Sequence, residues 1–406
     1  MKILHTADWH LGQTFMQKSR KDEHQLFINW LLATCKQEQI DVLIVAGDIF
    51  DVSNPSVEAM DMYHHFLLEA YKLNIEVVIV GGNHDSASRL NTTQSILNQL
   101  NIHVVGGEKN ALSKIIPLKN KNTSEVEVVL VAVPYLRDGE IREISAQESN
   151  LEANEKFPFA VKKHYDDLLQ EAKNQYPNQL IITTGHLYVT GSALSGNEKD
   201  LHSIGTLGQI SSACFNEDYA YVALGHIHKP QIIKHPSETI VKYAGSPIPL
   251  SFSERDDLKE VTILEINEQK FTPTIIQIPQ SRALIRIKGT ENQIIEKLNS
   301  LSNNENKTLN NWVEIIITEK VNFRTFNENI REICALKNVE ILKGSTDLPK
   351  EIFHNVREEF IAEMDNNPLD NIEKIFEIKC QKGGLNEENI NELKPLLHFV
   401  INHLNQ

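Results

Sequence analysis

Five short polar blocks constrain this chain more than anything else in it. Asp8-Trp9-His10, Gly47-Asp48, Gly82-Asn83-His84-Asp85, Gly185-His186 and Gly225-His226-Ile227-His228 each follow an apolar run. The runs Lys2 to Thr6, Val42 to Ala46, Val77 to Val80, Leu180 to Thr184 and Tyr219 to Leu224 are short and largely β-branched, and read as buried strands. Between the first three lie two helical candidates. One carries Leu26, Ile28, Trp30, Leu31 and Leu32; the other runs from Val57 to Tyr71 behind the start signal Asn54-Pro55-Ser56. The order is β-α-β-α-β with polar groups at the strand ends, and in open α/β sheets ligand groups gather at the carboxyl ends of strands. Further strands at Val128 to Val133, Ile240 to Tyr243, Val261 to Ile266 and Phe271 to Ile278 extend an α/β layered domain over residues 1–280.

The blocks offer carboxylate oxygens, an amide oxygen and imidazole nitrogens. That mixture suits divalent Mn, Fe or Zn and does not suit a calcium cage or a thiolate cluster, and the number of donors implies two metals. In an extended segment, side chains repeat every two residues, so Asp8 with His10 and His226 with His228 are expected on one face. The glycines before Asp48, Asn83, His186 and His226 are expected to permit positive backbone angles and close approach. Any one block alone also reads as a capped turn. Five in this order point to one site.

At these residues the chain resembles the calcineurin-like metallophosphoesterases, whose pattern D-x-H, G-D, G-N-H-D/E, G-H, G-H-x-H it reproduces. The stretches MKILHTADWHLGQ, AGDIFD (46–51), GGNHDSASRL (81–90), YVALGHIHKPQ (221–231) and YAGSPIPLSFSE (243–254) are similar more narrowly to the SbcD family, nuclease subunits of bacterial SbcCD complexes. The resemblance implies an α/β layered sandwich, β-sheets flanked by helices, with a small α+β capping domain and a helical C-terminal tail. It implies that Asp8, His10 and His228 hold one metal and Asn83, His186 and His226 the other, with Asp48 bridging and Mn²⁺ preferred. His84 is then the residue that orients the phosphate and protonates the leaving oxygen, with Asp85 fixing its imidazole. The alternative for His84 is a histidine that only supports the turn. The implied activity is 3′-5′ exonuclease on duplex ends and endonuclease on single strands and hairpins, in DNA replication, recombination and repair. The chain has no GxxxxGK[ST] phosphate loop, and the resemblance implies that an SbcC-like ATPase subunit supplies ATP binding and docks on the tail. The implied assembly is a heterotetramer with two of each chain, containing a homodimer of this one. A rival on the same metal chemistry is a phosphoesterase for a small phosphodiester or a phosphoprotein. A non-catalytic interaction protein would show eroded ligands, and every expected ligand is present.

Residues 281–348 follow a shorter cycle: strand Ala283 to Lys288, helix Asn292 to Leu301, strand Trp312 to Thr318, helix Asn327 to Leu336 and strand Val339 to Lys343. This predicts a small α+β domain. In residues 349–406 the residues Ile352, Phe353, Val356, Phe360, Ile361 and Met364 recur at helical spacing, as do later apolar positions. From Glu351 to Gln406 there are 5 basic and 11 acidic residues, so this tail suits a helical partner, or its own domain, better than DNA. Over all 406 residues the net charge is −15, which excludes a surface basic everywhere; any phosphate must be met by a local site. The cysteines Cys35, Cys214, Cys334 and Cys380 are far apart with no CxxC pair, the pattern of a reducing compartment. The start of the chain leaves no room for a signal peptide, and no apolar run reaches the ~18 residues of a membrane span, so a soluble cytoplasmic protein is expected. His5 is expected in the core or behind the site, and His64 and His65 on a helix surface. Ser86 and Ser88 are read as helix caps, and Arg89 either reaches a phosphate or does not. The stretch Tyr188 to Gly208 is long for a connection and is either a substrate loop or an ordinary excursion.

Overall fold

The computed structural model describes residues 1–107, 111–121, 123–146, 148, 152, 155–193, 210–267, 270–301, 309–319, 321 and 323–347, with Phe376, Cys380, Leu393 and Lys394 beyond them. The tail helices expected over 349–406, and most of the stretch Tyr188 to Gly208, lie outside the described residues.

The chain begins with β1 (Lys2–Thr6), a short hairpin of β2 (Thr14–Phe15) and β3 (Lys18–Ser19), then β4 (Val42–Ala46), β5 (Glu76–Val80) and β6 (Ile102–Val105). Strands β1, β4, β5 and β6 are mutually parallel. The second sheet is built from β7 (Ile115–Lys119), β8 (Val126–Val131), β9 (Leu180–His186), β10 (Tyr221–Gly225), β11 (Gln231–Ile233) and β12 (Ile240–Tyr243). Its centre, β8, β9, β10 and β12, is again parallel, with β7 and β11 antiparallel at the edges. The chain then returns through β13 (Glu260–Asn267) and β14 (Lys270–Gln277), which complete the first sheet beside β1 in the order β14-β13-β1-β4-β5-β6.

The pleat decides the layering. Ile3, Val42, Ile44, Ala46, Val78 and Val80 point inward and meet Leu118, Val128, Leu130, Ile182, Tyr221 and Ala223 of the other sheet. The alternate residues Leu4, Leu43, Val45, Val77 and Ile79 point outward onto helices α1 (Lys21–Gln37) and α2 (Val57–Lys72), through Phe27, Leu31, Met62 and Phe66. Helix α2 starts where expected, with the Ser56 hydroxyl accepting from the Ala59 N–H at 3.2 Å. After the short α3 (Ala87–Asn91), α4 (Gln94–Leu97) and α5 (Asp138–Ser145) comes the long α6 (Lys156–Gln175), whose Tyr165, Leu168, Leu169 and Ala172 cover the outer face of the second sheet. The result is a sandwich of helices, sheet, sheet and helices, as expected. Strands β6, β7 and β11 and helix α6 extend the elements expected from sequence.

A third, parallel sheet is formed by β15 (Leu284–Gly289), β16 (Asn311–Ile317) and β17 (Val339–Thr346), with α7 (Glu291–Ser300) and α8 (Phe323–Lys337). Ile287, Ile294, Leu298, Val313, Ile315 and Ile330 give it a core of its own. It meets the sandwich at an aromatic seam of Phe15, Phe252, Leu284 and Trp312. All four cysteines are free thiols. Among the described residues no helix is long and apolar enough to cross a membrane.

Candidate metal centre

The carboxyl ends of β1, β4 and β5 in one sheet and of β9 and β10 in the other open onto the same edge of the sandwich. Beyond the strands, the Asp8 N–H donates to the Gly47 carbonyl at 3.0 Å, that of His10 to the Asp48 carbonyl at 3.0 Å, and that of Leu11 to the Ile49 carbonyl at 2.9 Å. The two loops thus run on together past their strands. Asp8, His10, Asp48 and His226 have φ values of 53°, 49°, 48° and 96°, in the left-handed region that side chains other than glycine seldom enter. Such strain, of order 1 kcal/mol or more per residue, persists only where surrounding structure enforces it, and it clusters at functional sites.

Two expectations are corrected here. Asp8 and His10 converge because the backbone turns at each of them, not because they alternate along an extended strand. And of the four glycines before Asp48, Asn83, His186 and His226, only Gly47 takes a positive φ, at 91°. The others are needed for space. A Cβ on Gly82 would lie 2.1 Å from Asp48 Oδ1, and one on Gly185 would lie 2.5 Å from the Tyr165 hydroxyl.

Asp48 stands at the middle of the site. Its Oδ1 accepts from the His84 N–H at 2.9 Å, while Oδ2 lies 3.2 Å from His186 Nε2 and 3.6 Å from His10 Nε2. On one side, Asn83 Oδ1 is 2.9 Å from His186 Nε2 and 3.0 Å from His226 Nδ1. Asp8 Oδ1 accepts from the His226 N–H at 2.8 Å. On the other side, the His10 ring lies 5.1 Å from that of His228 and 4.8 Å from that of His84. One ligand atom each from His10, Asp48 and His84 fall within 4.8 Å of one another, and so do those from Asp8, Asp48 and His186; Asp48 belongs to both groups. All seven residues expected to bind metal are brought to this edge. His84, expected to act on substrate, stands within the same donor distance.

These residues fit a pair of divalent ions. Asp8 Oδ2 and His10 Nε2 are buried without a hydrogen-bond partner, while His10 Nδ1 lies 3.3 Å from Asp51 Oδ1, and buried polar atoms are seldom left unpartnered unless something else engages them. Burial pushes the Asp8 carboxyl up to about 7. Burial opposes charge on Asp48 and His186 as well, yet their mutual attraction holds Asp48 well below the carboxylate range and raises His186 to about 9. Buried carboxylates and imidazoles gathered in this way suit divalent cations. The His186 ring is already aimed, since Nδ1 donates to the Ala46 carbonyl at 3.0 Å and turns Nε2 toward the centre.

A family model described as calcineurin-like phosphoesterase matches residues 1–230. SbcD of Escherichia coli strain K12, a subunit of the nuclease SbcCD, is 31% identical over 409 residues, covering 100% of this chain and 98% of that one. The chain belongs to the SbcD family of calcineurin-like phosphoesterases. The SbcD proteins of Bacillus subtilis strain 168 and Rhodobacter capsulatus are 30% and 32% identical, covering 78% and 71% of this chain and 79% and 71% of their own lengths. A second family model, described as a type 5 capsule protein repressor C-terminal domain, matches residues 280–377. As a member of this family the chain is a metal-dependent phosphodiesterase.

Around the centre, the structure corrects one role and adds others. Asp85 was expected to fix the His84 imidazole. Instead its buried carboxylate accepts from the backbone N–H groups of Gly82, Ile49 and Phe50 at 2.9, 3.1 and 3.0 Å, pinning the turn that carries Asp48. Three backbone donors converging on the Asp85 carboxylate leave the imidazole to a different acceptor. His84 Nδ1 donates to the Asp51 carbonyl at 2.7 Å, which leaves Nε2 as the nitrogen that can meet substrate. Arg89 pairs with Asn54 Oδ1 at 2.7 Å. Ser86 caps the helix after the turn, as expected. His5 is buried, its Nδ1 3.0 Å from the Tyr221 hydroxyl, and His64 and His65 are exposed. Sequence reasoning missed Arg137, whose guanidinium donates to the Asp85 carbonyl at 2.6 Å, and Tyr135, whose ring is 6.3 Å from that of His186. It also missed Glu254, which lies 3.3 Å from His228 Nδ1. Burial opposes its ionisation, but Lys259 and His228 hold Glu254 well below the carboxylate range.

The sheets approach so closely here that Gly225→Ala is a sharp test of the junction. Its Cβ would lie 1.9 Å from the Ala46 carbonyl oxygen, the acceptor of His186, and 3.0 Å from His186 Nδ1. Overpacking of this kind costs roughly 1–3 kcal/mol or more. Chemical denaturation should show that loss together with weaker metal binding, and unchanged values of both would mean that the sheets can part at no cost.

Proposed function

We propose that this chain is the nuclease subunit of a DNA end-processing complex, acting with an SbcC-like ATPase as a 3′-5′ double-strand exonuclease and single-strand or hairpin endonuclease. What supports the reading is that Asp8, His10, Asp48, Asn83, His186, His226 and His228 lie at one edge, in a chain of which the nuclease-subunit relative covers 100%. In this reading Asp8, His10 and His228 hold one ion, Asn83, His186 and His226 the other, and Asp48 both, with Mn²⁺ as the working metal. Residues 1–280 are the nuclease domain, 281–348 a capping domain and 349–406 the partner-binding tail. The working assembly is cytoplasmic and pairs two copies of this chain with two of the ATPase.

Two divalent ions bound there would polarise the phosphodiester and lower the pKa of an attacking water. The protein's own share is positional. Strained backbone at Asp8, His10, Asp48 and His226 fixes the donors before substrate arrives, and the Asp85 carboxylate holds the turn between them. His84 keeps one ring proton on the Asp51 carbonyl and delivers the other, from Nε2, to the departing oxygen. No covalent enzyme intermediate is required.

Purified chain with Mn²⁺ should open a hairpin-ended duplex and trim its 3′ end without ATP. Hydrolysis of bis-p-nitrophenyl phosphate with no cutting of DNA, even with the ATPase subunit added, would keep the metal chemistry and overturn the substrate in favour of a small phosphodiester or a phosphoprotein.

A further inference from the structure

We propose that Glu254 is a positioning residue through which the three-stranded unit sets the aim of His228, and so the affinity of one of the two metal positions. The inference rests on the reading of His228 as a ligand. Glu254 is 2% exposed and closes a 3-10 turn, Phe252–Glu254. Its Oε1 accepts from the His228 Nδ1–H at 3.3 Å, which directs Nε2 of that ring away toward the centre. Its Oε2 accepts from the Leu250 N–H at 3.1 Å, the Ser246 hydroxyl at 3.3 Å and the Lys259 ammonium at 2.8 Å. Lys259 also donates to the His228 carbonyl at 3.0 Å, and so does the Ser246 N–H at 3.1 Å. Ring and backbone of His228 are thus both tied to this one buried cluster.

The other end of the same segment belongs to the seam. Phe252, two residues before Glu254, packs in the cluster of Phe15, Leu284 and Trp312, the last two of which come from the three-stranded sheet. Just upstream, the Pro249 carbonyl accepts from Arg20 at 2.9 Å. The Arg20 guanidinium lies 5.3 Å from the Trp312 ring centroid and is paired with Glu23. Arg282 stacks on Trp312 at 3.7 Å. Residues 249–254 are therefore gripped by Trp312 and its cations on one side and grip His228 on the other. Behind the turn, Arg255 and Asp257 line a cleft of about 130 Å³ that also borders Arg282. A shift of the three-stranded unit against the sandwich moves Phe252, and Glu254 carries that shift to the imidazole.

Titration calorimetry of Mn²⁺ into the full chain tests this. His228→Ala identifies the binding event that depends on that ring. Glu254→Gln should weaken the same event by ~10- to 100-fold, the usual cost of removing a ligand's supporting carboxylate, and leave the other unchanged. Trp312→Ala, on the far side of the seam from the metals, should weaken that event several-fold, while Trp312→Phe restores it. Glu254→Gln with Trp312→Ala should be no weaker than Glu254→Gln alone, because both act through one contact. The absorption spectrum of the Co²⁺-loaded chain should change in the same variants. Should Trp312→Ala fail to fold, Phe252→Leu makes the same cut from within the turn. If His228→Ala lowers Mn²⁺ affinity but neither seam variant does, the relay is refuted and the ligand reading stands. If His228→Ala changes neither event, the ligand reading itself is refuted and the relay with it.

Discussion

Asp48→Asn should remove the metal centre while leaving the fold in place. The amide keeps an oxygen where Oδ1 accepts the His84 N–H, so the turn retains its bond. What disappears is a buried carboxylate that faces His10 and His186 together. Removing a group that merely supports a ligand costs metal affinity ~10- to 100-fold, and a donor shared by two ions should cost more at each. Metal analysis after gel filtration should fall from two ions per chain toward none, and hydrolysis should drop by at least ~10²-fold with it. Two retained ions would take Asp48 out of the bridging position.

His84→Ala should do the reverse, keeping both ions and losing the reaction. The His84 backbone N–H, which holds Asp48, survives the substitution; the ring and its bond to the Asp51 carbonyl do not. Loss of a general acid typically slows a reaction by ~10²- to 10⁴-fold. The variant should bind Mn²⁺ and DNA normally in titration and fail in single-turnover cleavage. Because the ring also lies within donor distance of His10 and Asp48, an ion lost in this variant would reassign His84 as a ligand. A replete variant with normal turnover would leave it as a prop for the turn.

Much of this was legible from residues alone, for physical reasons. Val42 to Ala46 is buried on both faces, so its β-branched run reads as a strand with nothing to contradict it. The blocks at 8–10, 47–48, 82–85, 185–186 and 225–228 could be placed at strand ends because each follows such a run. Edge strands were harder: β11 has one of its three residues buried, and without a second buried face there is little pattern to find. Helix α6 hides its stripe of Ala160, Tyr165 and Leu168 among lysines and aspartates that pair with one another along the exposed face. Partner choice was the real limit. Whether Asp85 turns to the adjacent imidazole or to the amides of Ile49 and Phe50, some 35 positions back, depends on how β4 and β5 sit side by side. Glu254 and His228 are 26 positions apart, with β11 and β12 between them, and nothing local in the sequence pairs them. The left-handed angles at Asp8, His10, Asp48 and His226 were equally invisible, since each side chain pays for a conformation that only the assembled site enforces.

The division of the donors between two sheets also sets a schedule. Asp8, His10, Asp48 and Asn83 leave the ribosome early, whereas His186 follows Asn83 by 103 positions and His226 follows it by 143. At ~5 to 20 residues per second, that gap is a delay of several seconds or more. During that interval the nascent chain carries Asp8, His10, Asp48 and Asn83 without the imidazoles of β9 and β10 that face them. His186 and His226 arrive only with β9 and β10, and by then α1, α2 and α6 are already made while β13 and β14 of the first sheet are still to come.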